Sequence, residues 1–268
     1  MLALVTGAAT GIGFATARSL AAAGWTVLGG RLPGQPVEET PGIEYVDLDV
    51  TDASAVAAVA RRIAERAEGL QLVVASAGLS LPGPLELRAE HGVGRELEVN
   101  AIAAIHVISA VLPSLRLANG RVVVIGAGQG RVALPFGGGY AASKAALAAL
   151  TDSLRAEVGV DGITVSLIEP GAIRTDILAE SRTQADAVFA GASPELSERY
   201  ATRTRATLDT AARAFERALP PERIADLVLR IASAKRPKPR YLVGREAWAL
   251  AVVALLPARA RARIVARL

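Results

Sequence analysis

Cysteine is absent from this 268-residue chain, which excludes disulfides and thiolate-bound metal. Histidine is nearly absent too. His91 lies in the polar stretch "RAEHGVG" and reads as solvated, whereas His106 lies in "AIAAIHVISA", where a core or subunit-interface histidine is the ordinary explanation. Two isolated histidines without acids at ligand spacing do not make a metal site. The N-terminus "MLALVTGAAT" has no basic region and no long apolar run, so no signal peptide is expected and the expected location is cytoplasmic. The net charge of +4 belongs to the tail: from Lys235 onward there are nine Lys or Arg and one acid, Glu246. No aromatic residues interleave the arginines from Arg259 onward, so a nucleic-acid partner is not expected.

What the chain has in quantity is Ala, Val and Leu, arranged as strand-like runs alternating with helical ones. "LALVTG", "TVLGGR", "IEYVDLDV", "LQLVVASAG", "GRVVVIGAG", "ITVSLIEPG" and "RYLVG" read as strands. Ala-rich helical segments separate most of them, including "GIGFATARSLAAAG" and the long "ELEVNAIAAIHVISAVLPSL". Such alternation implies right-handed crossovers and a parallel sheet covered on both faces. One domain over residues 1–268 is expected, with ligands beyond the carboxyl ends of the strands.

"TGAATGIG" follows the first strand and opens the first helix. Gly7, Gly11 and Gly13 would let the backbone turn tightly against a pyrophosphate, and Thr10 and Ile12 share that turn. The helix N-terminus adds unpaired N–H groups and a positive dipole end. At the end of the second strand an acid would bind a ribose 2′-OH, but the sequence has Gly30 then Arg31. That arginine suits a 2′-phosphate and favours NADP(H) over NAD(H). Asp49 and Val50 fall where the adenine edge would lie, and Ala77 and Gly78 in "ASAG" permit close approach to the ribose. Asp47, Asp49 and Asp52 otherwise read as strand alternation followed by a helix cap.

Tyr140 and Lys144 are four apart at the start of a helix, so they share one face. A free tyrosine is a poor acid–base group at neutral pH, and a nearby ammonium is expected to lower its pKa. The pair could exchange a proton with a substrate oxygen while a nicotinamide exchanges hydride with the adjoining carbon.

The set "TGAATGIG", "ASAG", "EVN", "YAASK" and "EPGAIRT", in this order, resembles the short-chain dehydrogenase/reductase family over roughly residues 2–175. The resemblance implies a Rossmann-type, doubly wound α/β fold, a nicotinamide cofactor and a homodimer or homotetramer. It implies an acid/base role for Tyr140 beside Lys144, and a relay water held by Asn100. Pro170, Gly171, Ile173 and Thr175 would meet the nicotinamide end, and Arg31 matches the basic position of NADP-preferring members.

Two positions depart from the family pattern. Ser76 replaces an asparagine, and Ala127 stands thirteen residues before Tyr140, where the family has the serine that holds the substrate oxygen. Losing a donor to an oxygen that gains charge costs about 3–4 kcal/mol in the transition state. Three explanations stand: a deliberate replacement of serine, a substitute donor from the Gln129 amide, or a protein that left redox chemistry for another use of the pocket. The last would be a cyclase, ligand-binding or regulatory role.

Residues 177–220 form a polar, poorly patterned insertion that reads as a substrate lid. With "RVALPFGGG", which contains Phe136, it suggests a bulky hydrophobic ketone or secondary alcohol as substrate. Residues 245–268 form a helical extension whose apolar run is too short to span a bilayer. Packing against the same or a neighbouring subunit is the preferred reading, and interfacial membrane contact the alternative.

Overall fold

The computed structural model describes residues 1–88, 92–175 and 177–266; His91 lies outside them. Seven strands form one parallel sheet: β1 (Leu2–Thr6), β2 (Thr26–Arg31), β3 (Ile43–Asp47), β4 (Leu72–Ala75), β5 (Arg121–Ile125), β6 (Thr164–Pro170) and β7 (Arg240–Val243). Their order is β3-β2-β1-β4-β5-β6-β7. The Rossmann-type doubly wound sheet is therefore present. All seven strands anticipated from apolar runs occur.

The helices are α1 (Gly11–Ala22), α2 (Ala53–Ala64), α3 (Leu85–Arg88), α4 (Gly92–Leu97), α5 (Ala103–Ala118), α6 (Gly138–Val158), α7 (Ile177–Ala190), α8 (Pro194–Phe215), α9 (Glu222–Ser233), α10 (Arg245–Ala254) and α11 (Ala258–Val265). Because side chains alternate along a strand, each central strand feeds two cores. Leu2, Leu4, Val73, Val122 and Val124 pack with residues of α2, α5 and α6. Ala3, Val5, Val74, Val123 and Ile125 pack with residues of α1 and α9. Asp52 caps α2, accepting from the Ser54 amide at 2.8 Å, as the "DVTD" reading anticipated.

The chain reverses its winding between β1 and β4, which opens a crevice at their carboxyl ends. Gly7 and Ala77 meet there so closely that a β-carbon on Gly7, already at φ +65°, would lie 3.0 Å from Ala77 Cα. Two features differ from expectation. The long helix through "EVN" is interrupted by a π-turn over Glu98–Ile102. His106 is exposed on α5, so of the two readings, core or subunit interface, the core one does not hold. Beyond the 177–220 insertion a strongly amphipathic helix, α9, packs on α1.

Candidate active site

A cavity of about 360 Å³ opens at the carboxyl ends of the strands. Tyr140 and Lys144 line it from the first turns of α6, with Ala127 and Gln129 from the turn after β5. That turn is fixed by two glycines. A β-carbon on Gly128 would lie 2.9 Å from Ala247 Cα in α10, and one on Gly130 would lie 2.9 Å from the Lys144 backbone. Ala127 is itself almost fully buried. Ser76, Ser80, Thr175, Ser181 and Thr207 also line the cavity, but from other elements. Among the described residues the Gln129 amide has no hydrogen-bond partner, so it is free to serve a ligand.

Lys144 is buried and donates from Nζ to the Ile125 carbonyl at 3.0 Å. Its Nζ lies 5.7 Å from the centre of the Tyr140 ring. Burial pushes the lysine down to about 8. Burial also pushes the half-buried Tyr140 phenol up to about 12, and the carboxylate of Glu96 adds to that rise. The expectation that Lys144 sets a low tyrosine pKa is thus corrected for the protein alone: burial and Glu96 both raise it. Tyr140 is held protonated, as a proton donor requires.

Asn100 is wholly buried at the π-turn. Its Oδ1 accepts from Leu79 N at 2.8 Å, and its Nδ2 donates to Leu79 O at 2.8 Å and to Ser143 Oγ at 2.9 Å. Ser143 in turn donates to the Tyr140 carbonyl at 2.8 Å. Both amide hydrogens are therefore spent on the loop after β4 and on α6, so the side chain tethers rather than donates to a water. A π-turn at this position is common at functional sites.

The nucleotide end has the expected backbone. Thr6 Oγ1 accepts from Ser76 N and Ala77 N, both at 3.0 Å, fixing the two loops that flank the crevice. Gly11 takes φ +55° and lies against Thr175, and a β-carbon on Gly13 would overlap the Gly7 carbonyl. The first turn of α1 has no acid, so Thr10, Gly11, Ile12 and Gly13 present an unopposed positive helix end. Arg31 ends β2 as anticipated, but it is not a free cation. It pairs with Asp47 at 3.1 Å and donates to Gln35 O at 3.0 Å, beside Arg62. Asp49 accepts from Thr51 N and Oγ1 at 2.9 and 2.8 Å through Oδ1 alone, and the Val50 side chain is buried in the core. The segment after β6 is anchored through Ile173, which bridges to Leu219.

Two acids that sequence reading passed over matter here. Glu96 is buried, accepts from Leu81 N at 2.8 Å and lies against Gly139. Burial raises its pKa, opposed by the Leu81 amide and by buried Arg88. Glu96 stands four residues before Asn100, but the π-turn between them breaks the regular helical spacing, and sequence spacing alone does not show its burial. Glu169 is buried and bidentate with Arg131 at 2.9 and 2.7 Å, with Arg240 at 3.3 Å. This network ties the residue after the Gln129 turn to β6. Phe136 adopts φ +62°, a strained conformation for a bulky residue that functional walls often store. Its ring lines the cavity and lies 5.8 Å from the Arg203 guanidinium of α8.

The fold and this arrangement define an α/β protein with a dinucleotide crevice joined to an acid–base cavity. The family model described as short chain dehydrogenase matches residues 1–186, and the chain belongs to that family of oxidoreductases. It is 39% identical to human (Homo sapiens) retinol dehydrogenase 16 over 206 residues, which cover 73% of this chain and 65% of that one. The chain thus spans just under two thirds of that relative's length. It is 33% identical to mouse (Mus musculus) 17-beta-hydroxysteroid dehydrogenase type 1 over 261 residues, covering 89% of this chain and 72% of that one. An alcohol dehydrogenase from the archaeon Thermococcus sibiricus, complexed with 5-hydroxy-NADP, superposes with a TM-score of 0.69 at 25% identity, covering 90% and 95% of the two chains.

Proposed function

We propose that the protein transfers hydride between NADP(H) and a bulky apolar ketone or secondary alcohol. The observation that carries this reading is the meeting of Tyr140 and Lys144 with an apolar cavity at the mouth of the glycine-lined crevice. The crevice fits a dinucleotide: Gly7, Gly11 and Gly13 let its backbone close tightly, a β-carbon on them meeting Ala77, Thr175 and the Gly7 carbonyl in turn, and the α1 end carries no acid. The backbone of 11–13 would hold the pyrophosphate, Ala77 and Gly78 the ribose, Lys144 a ribose hydroxyl, and Pro170, Gly171, Ile173 and Thr175 the nicotinamide end. When bound, the nicotinamide supplies hydride chemistry. Arg31 still has donors beyond those given to Asp47 and Gln35. Together with the 5-hydroxy-NADP named for the archaeal relative, this supports NADP(H) over NAD(H).

In the reductive direction Tyr140 donates its proton to the substrate oxygen, and its high pKa keeps that proton in place until the oxygen gains charge. Lys144 places a positive charge under the ring as the phenolate forms. Ala127 offers the substrate oxygen no hydroxyl, so orientation falls to Tyr140, the Gln129 amide and the apolar wall. Residues of α7 and α8, including Ile177, Leu208 and Phe215, line the cavity opposite Tyr140, and the segment 177–220 acts as a lid. The retinol and steroid substrates named for the relatives are apolar and bulky, in keeping with this wall. Exposed Ile102 and Leu117 on or beside α5 and Leu150 on α6 support a homo-oligomer.

The test is titration of NADPH and NADH, followed by NADPH oxidation with a panel of apolar ketones. Tighter NADPH binding and turnover of a bulky member are expected. Protein that binds neither nucleotide and reduces no member overturns the reading. A second reading, ligand binding without redox chemistry, is favoured by Ala127 alone. It predicts ligand affinity with no NADPH consumption.

A further inference from the structure

The two faces of α10 have opposite characters. Ala247 is fully buried against Gly128, and Glu246 and Leu250 line the cavity. The other face carries Trp248, Val252 and Leu255 at the i, i+4, i+7 spacing of one helical stripe, with 60%, 59% and 86% of their surfaces exposed. Arg245, also exposed, borders that stripe. After the turn at Pro257, α11 adds exposed Arg259 and Arg263, and Arg261 reaches back to the Ala254 carbonyl at the end of α10. None of these four arginines has a carboxylate partner among the described residues. Glu246, the one acid in 245–268, faces the cavity instead. A solvent-facing stripe of Trp, Val and Leu beside unpaired arginines suits a surface that is apolar beneath and anionic above.

We infer that α10 and α11 dock the protein onto an anionic lipid surface, with Trp248, Val252 and Leu255 entering the acyl boundary and Arg245, Arg259 and Arg263 meeting the headgroups. The segment is too short to span the bilayer. Because the buried face of α10 lines the cavity, a molecule dissolved in the lipid would reach the site beside the docked helix. That route rests on the apolar-substrate reading; the docking itself does not.

The test is sedimentation of the full chain with vesicles of phosphatidylcholine alone or mixed with phosphatidylserine, alongside two variants. One is Trp248→Ala/Val252→Ser/Leu255→Ser, and the other is Arg259→Gln/Arg263→Gln. All five side chains are exposed, so circular dichroism and NADPH titration should match the parent, showing that the fold and cofactor site are intact. The parent is expected to partition onto the phosphatidylserine vesicles, to leave them as salt rises, and to shift its tryptophan emission to the blue. Trp25 is buried, so that shift reports Trp248. The arginine pair should weaken partition about thirtyfold, at roughly fivefold per charge, and the apolar triple should abolish it. No partition by the parent, or equal partition by both variants, overturns the proposal. So does a self-association that the apolar triple disrupts without any vesicle binding, which would give the face to a second copy.

Discussion

The carboxylate of Glu96 occupies the space that a side chain on Gly139 would fill, one residue before Tyr140. A buried negative charge beside the first turn of α6 opposes formation of a phenolate, and Glu96 contributes to the rise of the Tyr140 pKa after burial itself. Glu96→Gln keeps an oxygen to accept from Leu81 N and removes the charge. The Tyr140 pKa then falls. In the alcohol-oxidising direction, where the phenolate is the base, the rising limb of the kcat profile, on which activity appears as the phenol ionises, should move to lower pH. A limb at the same pH in parent and variant would remove Glu96 from the proton-transfer machinery.

Lys144 gives a second pH effect of known sign. Burial lowers its pKa to about 8, so the ammonium is present below that pH and is lost as pH rises through it. Carbonyl reduction needs this charge beneath the ring. Its kcat/KM should therefore be level below about 8 and decline above it, while a Lys144→Met variant should be slow and lack that decline. The profile of NADPH oxidation against pH reads both.

The parallel sheet and the glycine turn were legible because they follow from periodicity and from backbone space, which a sequence displays directly, whereas the strand order came from the structure. Tyr140, Lys144, Ala127 and Gln129 were legible through spacing on one helix and one turn. Asn100 was found, but its partners were not, since Leu79 and Ser143 are brought to it only by tertiary packing. Arg31 was placed at the correct strand end, yet its pairing with Asp47 depends on the β2–β3 register, in which those two residues are opposite each other. Asp49 was placed from its position at a strand end, whereas its hydrogen bonds to Thr51 are visible only in the fold. Glu96 and Glu169 escaped notice because charged residues are ordinarily solvated. Only the fold shows that both are buried.

The Glu169 network yields a stability prediction. Arg131→Ala leaves a buried carboxylate with Arg240 as its remaining cation. Removing one partner of a buried pair costs about 3–5 kcal/mol, and Arg240 places this case toward the lower end. Thermal unfolding should fall by several degrees. Because the Gln129 turn is tied through Arg131, substrate KM should rise as well. An unchanged melting temperature would mean that Arg240 alone satisfies Glu169.

Ala127 separates two accounts of how the substrate oxygen is held. Ala127→Ser restores a hydroxyl at the wall and should raise kcat for ketone reduction about a hundredfold or more, by analogy with an oxyanion donor. If Gln129 already fills that role, the gain is small and Gln129→Ala is the damaging change. Steady-state kinetics of the two variants with one apolar ketone decide between them.

The central claim is that Tyr140 delivers the proton while NADPH delivers hydride in the same cavity. Single-turnover oxidation of bound NADPH by a bulky ketone, compared between the parent and Tyr140→Phe, tests it most directly. The account predicts a rate lower by at least about a hundredfold in the variant, with NADPH affinity retained because the crevice is untouched. A variant that oxidises NADPH as fast as the parent would contradict it.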